Sequence, residues 1–350
     1  MQVTLKPIKS IDQAWSERAA IRQQSLTKPA GSLGVLEALA IQLAGHQGCE
    51  CPSIVLPWIS VFAADHGIAQ QGVSAYPAVV TAEMVKNFSA GGAAITVLAR
   101  AHQAAFEVVD VGVLADVAPL KNLVSNRVAA GTFDFSVQPA MTPDMLQSAL
   151  HAGEQAVARA LAAGADVFVG GEMGIGNTSS AAAMIAQLCA QPVAPLVGLG
   201  TGINAAQKAH KIVLIEQALQ LHAAQMTNPM AVLRCVGGLE IAALVGAYFA
   251  CAQHGLTMVI DGVIACAAAL VVCQTAPQAQ AWMVFGHRSV EPAQMAVFKA
   301  LKAQPVLDLQ MRLGEGSGAM MAVGVLKMAC VLHQNMATFE QAGVSHGDES

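Results

Sequence analysis

The sequence predicts an α/β protein: a parallel β-sheet covered by helices on both faces, with further helical segments at the two chain ends. Three observations predict it. Short apolar runs recur along the chain, each followed by a glycine-rich turn and then by an alanine-rich stretch of helical length. The composition is 55% hydrophobic but only 4% aromatic, so the apolar excess is mostly Ala, Val, Leu and Met, side chains that let helices lie close on a sheet. Charged residues make up 12%, against about 25% in an average domain. Strands buried on both faces account for that scarcity.

The polar end comes first. Asp12 to Ser25 reads as a charged helix, Lys28 to Gly34 as a turn, Val35 to Leu43 as a second helix and Gly48 to Pro52 as a loop. Ile54 to Ala63 is β-rich and ends at Asp65-His66-Gly67; Val80 to Leu98 reads as one helix and Phe106 to Val113 as a strand. Thr142-Pro143 joins an N-cap to a proline in the first helical turn, and the helix it opens runs to Ala163 before Gly164. The next strand, Val167–Val169, leads into Gly170 to Thr178 and a helix from about Ser179. A strand over Pro195–Leu199 leads into Gly200-Thr201-Gly202 and a helix from about Ala205. Thr257–Ile260 leads into Asp261-Gly262, and Trp282–Phe285 into Gly286-His287-Arg288-Ser289, each followed by a helix. Ser317 to Met336 is helical again.

A mean hydropathy of +0.51 raises the question of a membrane. The uncharged run Ile241 to Ile260 has about the length needed to span a bilayer. Gln253-His254-Gly255 interrupts it with a helix-ending signal, and no Lys/Arg cluster orients it, so a buried helix followed by a buried strand is expected, without stable membrane insertion. Lys6 and Lys9 precede no apolar run, so no signal peptide is expected. The eight cysteines are scattered, mostly in apolar helical contexts, as in a reduced, cytoplasmic protein. A net charge of −5 with no basic stripe argues against nucleic acid as a partner.

In an open α/β sheet, ligands bind beyond the carboxyl ends of the strands. Glycine turns there place unobstructed backbone N–H groups at helix N-termini, which favours an anionic, phosphate-bearing ligand. The turns carry Glu172, Asn177, Thr178, Arg288 and Ser289. No P-loop, no dinucleotide fingerprint, no nucleophile elbow and no acidic pair before a Thr-Gly-Gly turn is present. His66, His210 and His287 lack metal-ligand spacing, so core or exposed histidines are expected and no metal or cofactor. The most unusual segment is Arg312 to Ala319, where Glu315 stands between glycines just before a long helix. Glycines on both sides leave that carboxylate little cover, which suits a place where a ligand approaches closely.

Five segments, Leu26 to Gly34, Ala64 to Gly67, Gly91 to Ala94, Gly171 to Thr178 and Arg312 to Gly318, stand in an order and spacing that resemble the nicotinate-nucleotide–dimethylbenzimidazole phosphoribosyltransferases. The likeness covers roughly Leu26 to Met336. It implies a Rossmann-like large domain (residues 50–300), a small helical domain from both chain ends (1–49 with 301–350), and a homodimer. It also implies transfer of the phosphoribosyl group of nicotinate mononucleotide to 5,6-dimethylbenzimidazole, giving α-ribazole 5′-phosphate and nicotinate. By the resemblance Glu315 is the general base, and Glu172 and Lys211 line the phosphoribosyl side, with Lys208 one turn from the latter. The phosphoribosyl group would meet Gly174, Gly176, Asn177, Thr178, Gly200, Gly202, Gly314, Gly316 and Ser317. The acceptor base would lie near Tyr76, Met84 and Leu313, and a related lower-ligand base is not distinguished from dimethylbenzimidazole. A non-catalytic nucleotide-binding protein would have no need of the base.

Overall fold

The computed structural model describes residues 6–117, 119–198 and 202–345. Six parallel strands form one sheet: β1 (Pro57–Ala64), β2 (Ala105–Gly112), β3 (Leu123–Ser125), β4 (Val167–Met173), β5 (Thr257–Ile260) and β6 (Met283–Phe285). Their order is β3-β2-β1-β4-β5-β6, so the direction of winding reverses between β1 and β4. That is the Rossmann-type order, and its reversal point opens a crevice at the carboxyl ends of the two central strands.

Alternation along each strand divides the core into two. Phe62, Val109, Phe168 and Met258 point to one face, where α5 (Pro143–Ala162), α6 (Asn177–Leu188), α7 (Ala205–His222), α8 (Pro229–Val236), α9 (Leu239–His254), α10 (Val263–Thr275) and α11 (Ala293–Leu301) pack. Val61, Val108, Val169 and Val259 point to the other, under α2 (Val35–Gln47), α3 (Val79–Ala90), α4 (Ala94–Ala101) and α12 (Ser317–Asn335). The chain ends meet as well. Leu26, just after α1 (Gln13–Ser25), bridges Thr338, just before α13 (Phe339–Ala342), and Arg22 donates to the carbonyls of His333 and Gln334.

Small residues set how close the layers come. A Cβ added to Gly153 of α5 would stand 1.9 Å from the Ala243 carbonyl of α9, and one at Gly246 would stand 2.0 Å from the Leu150 carbonyl. The two helices therefore touch backbone to backbone. The apolar run Ile241 to Ile260 is α9 followed by β5, parted at Gly255, whose left-handed φ of 76° ends the helix. Among the described residues, α12 alone is a helix long and apolar enough to cross a bilayer, and 56% of that window is buried.

The structure corrects two expected elements. Val80 to Leu98 is not one helix: Gly91, at φ 84°, closes α3 by donating to the Asn87 and Phe88 carbonyls, and α4 starts afresh at Ala94. The expected strand Pro195–Leu199 is absent among the described residues; residues 194–196 form a turn, and Leu199 lies outside them. Proline has no N–H to give a ladder, and β4 pairs directly with β5. Helices α6 to α9 fill the connection instead. The short β3 and the helix α8, opened by an Asn228 cap before Pro229, carry too few residues to stand out in the sequence.

Candidate active site

A cleft of about 110 Å³ opens over the carboxyl ends of β4, β5 and β6. Its walls come from the β4–α6 turn (Glu172 to Thr178), the start of α10, the segment after β6, and Arg312 to Glu315 ahead of α12. These segments are far apart in sequence, and glycines let them converge. A Cβ at Gly171 would stand 2.3 Å from the Glu315 carbonyl, and one at Gly174 would stand 2.5 Å from the Ala64 carbonyl.

Gly314, Glu315 and Gly316 are three successive left-handed residues, with φ of 85°, 66° and 87°. For a residue with a side chain that conformation costs roughly 1–2 kcal/mol. The turn thereby projects the Glu315 carboxyl towards the cleft, 6% exposed and with Oε2 lacking any protein partner. Burial, then the charge of Asp261, raise its pKa to about 7, against a lowering by the Ile95 N–H in the first turn of α4.

Glu172 sits opposite, buried at the end of β4. The Asn177 side chain and the Glu315 N–H both donate to its carboxyl. Burial above all, then the charges of Glu240 and Asp261, outweigh them and hold its pKa well above the usual carboxylate range. A cationic ligand in the cleft would favour its ionised form.

Gly176 caps α6, and Asn177 and Thr178 form its first turn, slightly earlier than the Ser179 start expected. Lys211 reaches this turn from α7: its Nζ donates to Thr178 Oγ1 at 2.7 Å, with the side chain nearly wholly buried. Burial lowers its pKa to about 8, with the Glu291 charge opposing. Lys208 is half-buried and makes no such contact with Thr178. Ser317 opens α12 with its hydroxyl buried and unpartnered.

The remaining expected site residues divide. Leu313 is at the cleft rim and exposed. Tyr76 lines a separate cavity with Asp65, His66 and Thr132, and Met84 of α3 packs at the edge of the core beneath the sheet; neither lines the cleft. Gly202 is exposed and off the cleft, and Gly200 lies outside the described residues. Arg288 pairs with Asp308 at 3.2 Å instead of lining the cleft, whereas Ser289 does line it. His66 is a satisfied core histidine, 2.6 Å from Glu240 Oε1 and 3.0 Å from Ser180 Oγ. His287 departs from that expectation: it is buried and faces the cleft, its Nδ1 has no partner, and its Nε2 has only a long 3.5 Å contact with Asp261 Oδ1. Arg312, Glu291 and, behind the lining, Asp261 also escaped the sequence reading, because only their neighbours in space reveal them.

Comparison with known proteins bears on this geometry. The profile of a family described as phosphoribosyltransferase matches residues 8–344. The chain is 52% identical to the nicotinate-nucleotide–dimethylbenzimidazole phosphoribosyltransferase of Pseudomonas putida (strain GB-1) over 335 residues, 96% of this chain and 95% of that one. It is 52% identical to the enzyme of the same name from Pseudomonas fluorescens (strain SBW25) over 341 residues, 97% of each. The solved structure of the Thermus thermophilus enzyme of that name superposes with a TM-score of 0.91 at 40% identity, covering 96% of this chain and all of that one.

Proposed function

The chain belongs to the nicotinate-nucleotide–dimethylbenzimidazole phosphoribosyltransferase family, and from that premise we infer how its own residues carry the reaction. It is a pentosyl transferase that moves the phosphoribosyl group of nicotinate mononucleotide to 5,6-dimethylbenzimidazole or a related lower-ligand base. The products are α-ribazole 5′-phosphate and nicotinate, in the building of the cobalamin nucleotide loop.

One observation carries the assignment of roles: a buried carboxyl, Glu315, set on a left-handed turn with an unpartnered oxygen at the cleft and a pKa of about 7. The donor's nicotinate is a cationic pyridinium, so it leaves with a neutral ring and needs no acid. The acceptor's N–H must lose its proton as its other nitrogen bonds to C1′. Glu315 takes that proton, a contribution of about 10²–10⁴-fold in rate. The cationic pyridinium of the bound donor favours the ionised form of Glu172, whose proton passes to solvent on binding, and the carboxylate then stabilises the positive charge that develops at C1′ and the ring oxygen. Attack on the face opposite nicotinate turns a β donor into an α product.

Lys211, held by Thr178 at the N-terminus of α6, supports binding of the 5′-phosphate there, together with the backbone of Gly174 and Gly176 and the side chains of Asn177 and Thr178. Gly314, Gly316 and Ser317 frame the ribose, and Leu313 offers the acceptor base an apolar edge. Tyr76 and Met84 lie outside the cleft lining and would form the outer part of the acceptor pocket, near Thr81, whose Oγ1 accepts the Ile175 N–H. The described residues of 1–49 and 301–350 would form a helical unit on those of 50–300, a reading supported by the Leu26–Thr338 bridge, and the working form is a cytoplasmic homodimer without stable membrane insertion.

The test is to incubate the protein with nicotinate mononucleotide and dimethylbenzimidazole and follow nicotinate release. Base-dependent release is expected, and Glu315→Gln should lower it at least about a hundredfold without unfolding the chain. No release with any of several lower-ligand bases would sink the activity; near-wild-type turnover by the variant would remove Glu315 as the base.

A further inference from the structure

Asp261 directly follows β5, is 2% exposed and belongs to no wall of the cleft, yet it holds the turn that carries Glu315. Its Oδ1 accepts the Ala319 N–H at 2.7 Å and its Oδ2 the Gly316 N–H at 3.2 Å, 58 and 55 residues further along the chain. Gly316 is the N-cap of α12 and has no side chain to satisfy those donors. The cap therefore comes from the residue that follows β5, and it bonds the residue directly after Glu315.

β6 completes the arrangement. His287 Nε2 lies 3.5 Å from Asp261 Oδ1, and the imidazole is so close on Gly318 that a Cβ there would stand 2.0 Å from Cδ2. A Cβ at Gly286 would likewise stand 2.8 Å from the Ala319 Cα. The first turn of α12 is thus wedged between Asp261 and His287. Burial pushes the Asp261 pKa up, but His287 and the N–H groups of Ala319 and Gly262 more than offset it, so the carboxylate stays charged.

We propose that Asp261 is a positioning residue for the transfer reaction: it clamps the turn that presents Glu315 and supplies the fixed negative charge beside which that carboxyl works. The inference rests on the activity and on the base assigned above. The charged and titratable groups around Glu315 are Asp261 just after β5, Glu172 from β4, His287 after β6 and Arg312 on its own segment, with Glu291 on the cleft wall and Lys211 behind Thr178. Of the acids, Asp261 is the one whose charge raises the proton affinity of Glu315. A base is most effective when it titrates near the working pH, so the clamp and the charge serve the same step.

The experiment compares wild type with Asp261→Asn and Asp261→Glu. It measures nicotinate release across about pH 5 to 9 and, separately, the titration of the Glu315 carboxyl in ligand-free protein by carbon NMR. In Asp261→Asn, Glu315 should titrate lower by roughly one unit, the acid limb of kcat should move down with it, and kcat should fall by about tenfold or more while KM for the nucleotide changes less. Asp261→Glu keeps the charge on a longer arm, so kcat should fall while Glu315 titrates close to wild type. An unmoved titration in Asp261→Asn would reduce Asp261 to a helix cap and overturn the proposal. Should that variant fail to fold, Asp261→Glu decides, since a Glu315 titration displaced downwards there contradicts a role for the charge. Absence of turnover by wild type would instead overturn the activity, and the NMR titration would still judge Asp261.

Discussion

The Glu172 carboxyl fills the space that a side chain at position 314 would need: a Cβ at Gly314 would stand 2.5 Å from Glu172 Oε1. Gly314→Ala therefore meets two obstacles, the φ of 85° and the carboxyl itself. The backbone part costs about 1–2 kcal/mol. Displacing Glu172 should lower kcat by about tenfold or more. Steady-state kinetics paired with a thermal melt separate the two; a variant of wild-type kcat would mean that Glu172 moves aside without consequence.

Glu315 sets a pH dependence of opposite sign for activity and for stability. As the proposed base it would act only when deprotonated, so kcat should rise with pH through about 7. The folded state holds this proton up to about 7, whereas an unfolded glutamate loses it near about 4.3. Between those values the folded chain binds more protons, so the contribution of Glu315 to stability falls as pH rises across that window. Glu315→Gln should thus be more stable than wild type at pH 8, by on the order of 3–4 kcal/mol, and barely different near pH 4. Denaturant unfolding at the two pH values checks it; a gap that does not widen with pH contradicts the sign.

Lys211 is charged at neutral pH, but its pKa is lowered to about 8. If it holds the 5′-phosphate, the KM for nicotinate mononucleotide should climb as pH passes through about 8. Lys211→Met should raise that KM about tenfold or more and remove this alkaline limb. Lys208→Met should do neither.

His66 and Glu240 form a buried pair beneath the β4–α6 turn, and Glu240 Oε2 has no further partner. His66→Ala strands the Glu240 carboxyl in the core and should cost about 3–5 kcal/mol in urea unfolding. A loss below about 1 kcal/mol, the scale of an ordinary hydrogen bond, would mean that the pair is readily replaced.

Much of this protein is readable before folding because strand, glycine turn and helix are local signals. Thr142 caps α5 as expected, its hydroxyl accepting the Met145 N–H, and Gly255 ends α9 where the hydropathy plot alone would have let a span continue. Gly91 and Gly92 were equally visible, but a left-handed helix end depends on contacts, here the Arg100 guanidinium donating to the Gly91 carbonyl. The described part of the Pro195–Leu199 run, residues 195–198, is apolar because it packs on the core, without being a strand: Leu196 and Val197 are buried. In the site, Glu172 and Glu315 stood out through the glycines beside them. Asp261 and His287 could not, since what marks them is contact with α12, far along the chain.

The cap that Asp261 provides has a consequence for the order in which this enzyme comes into being. Glu172, Asp261 and His287 all leave the ribosome before residues 314–319, and until those follow, the buried aspartate lacks the two amides it bonds and the nascent sheet lacks the helix that covers Val169 and Val259. A fragment ending before residue 314 lacks both the proposed base, Glu315, and the Gly316 amide through which Asp261 would hold it. A chain cut short before Ser317 would leave the apolar face beneath α12 uncovered and sticky, a ready substrate for quality control.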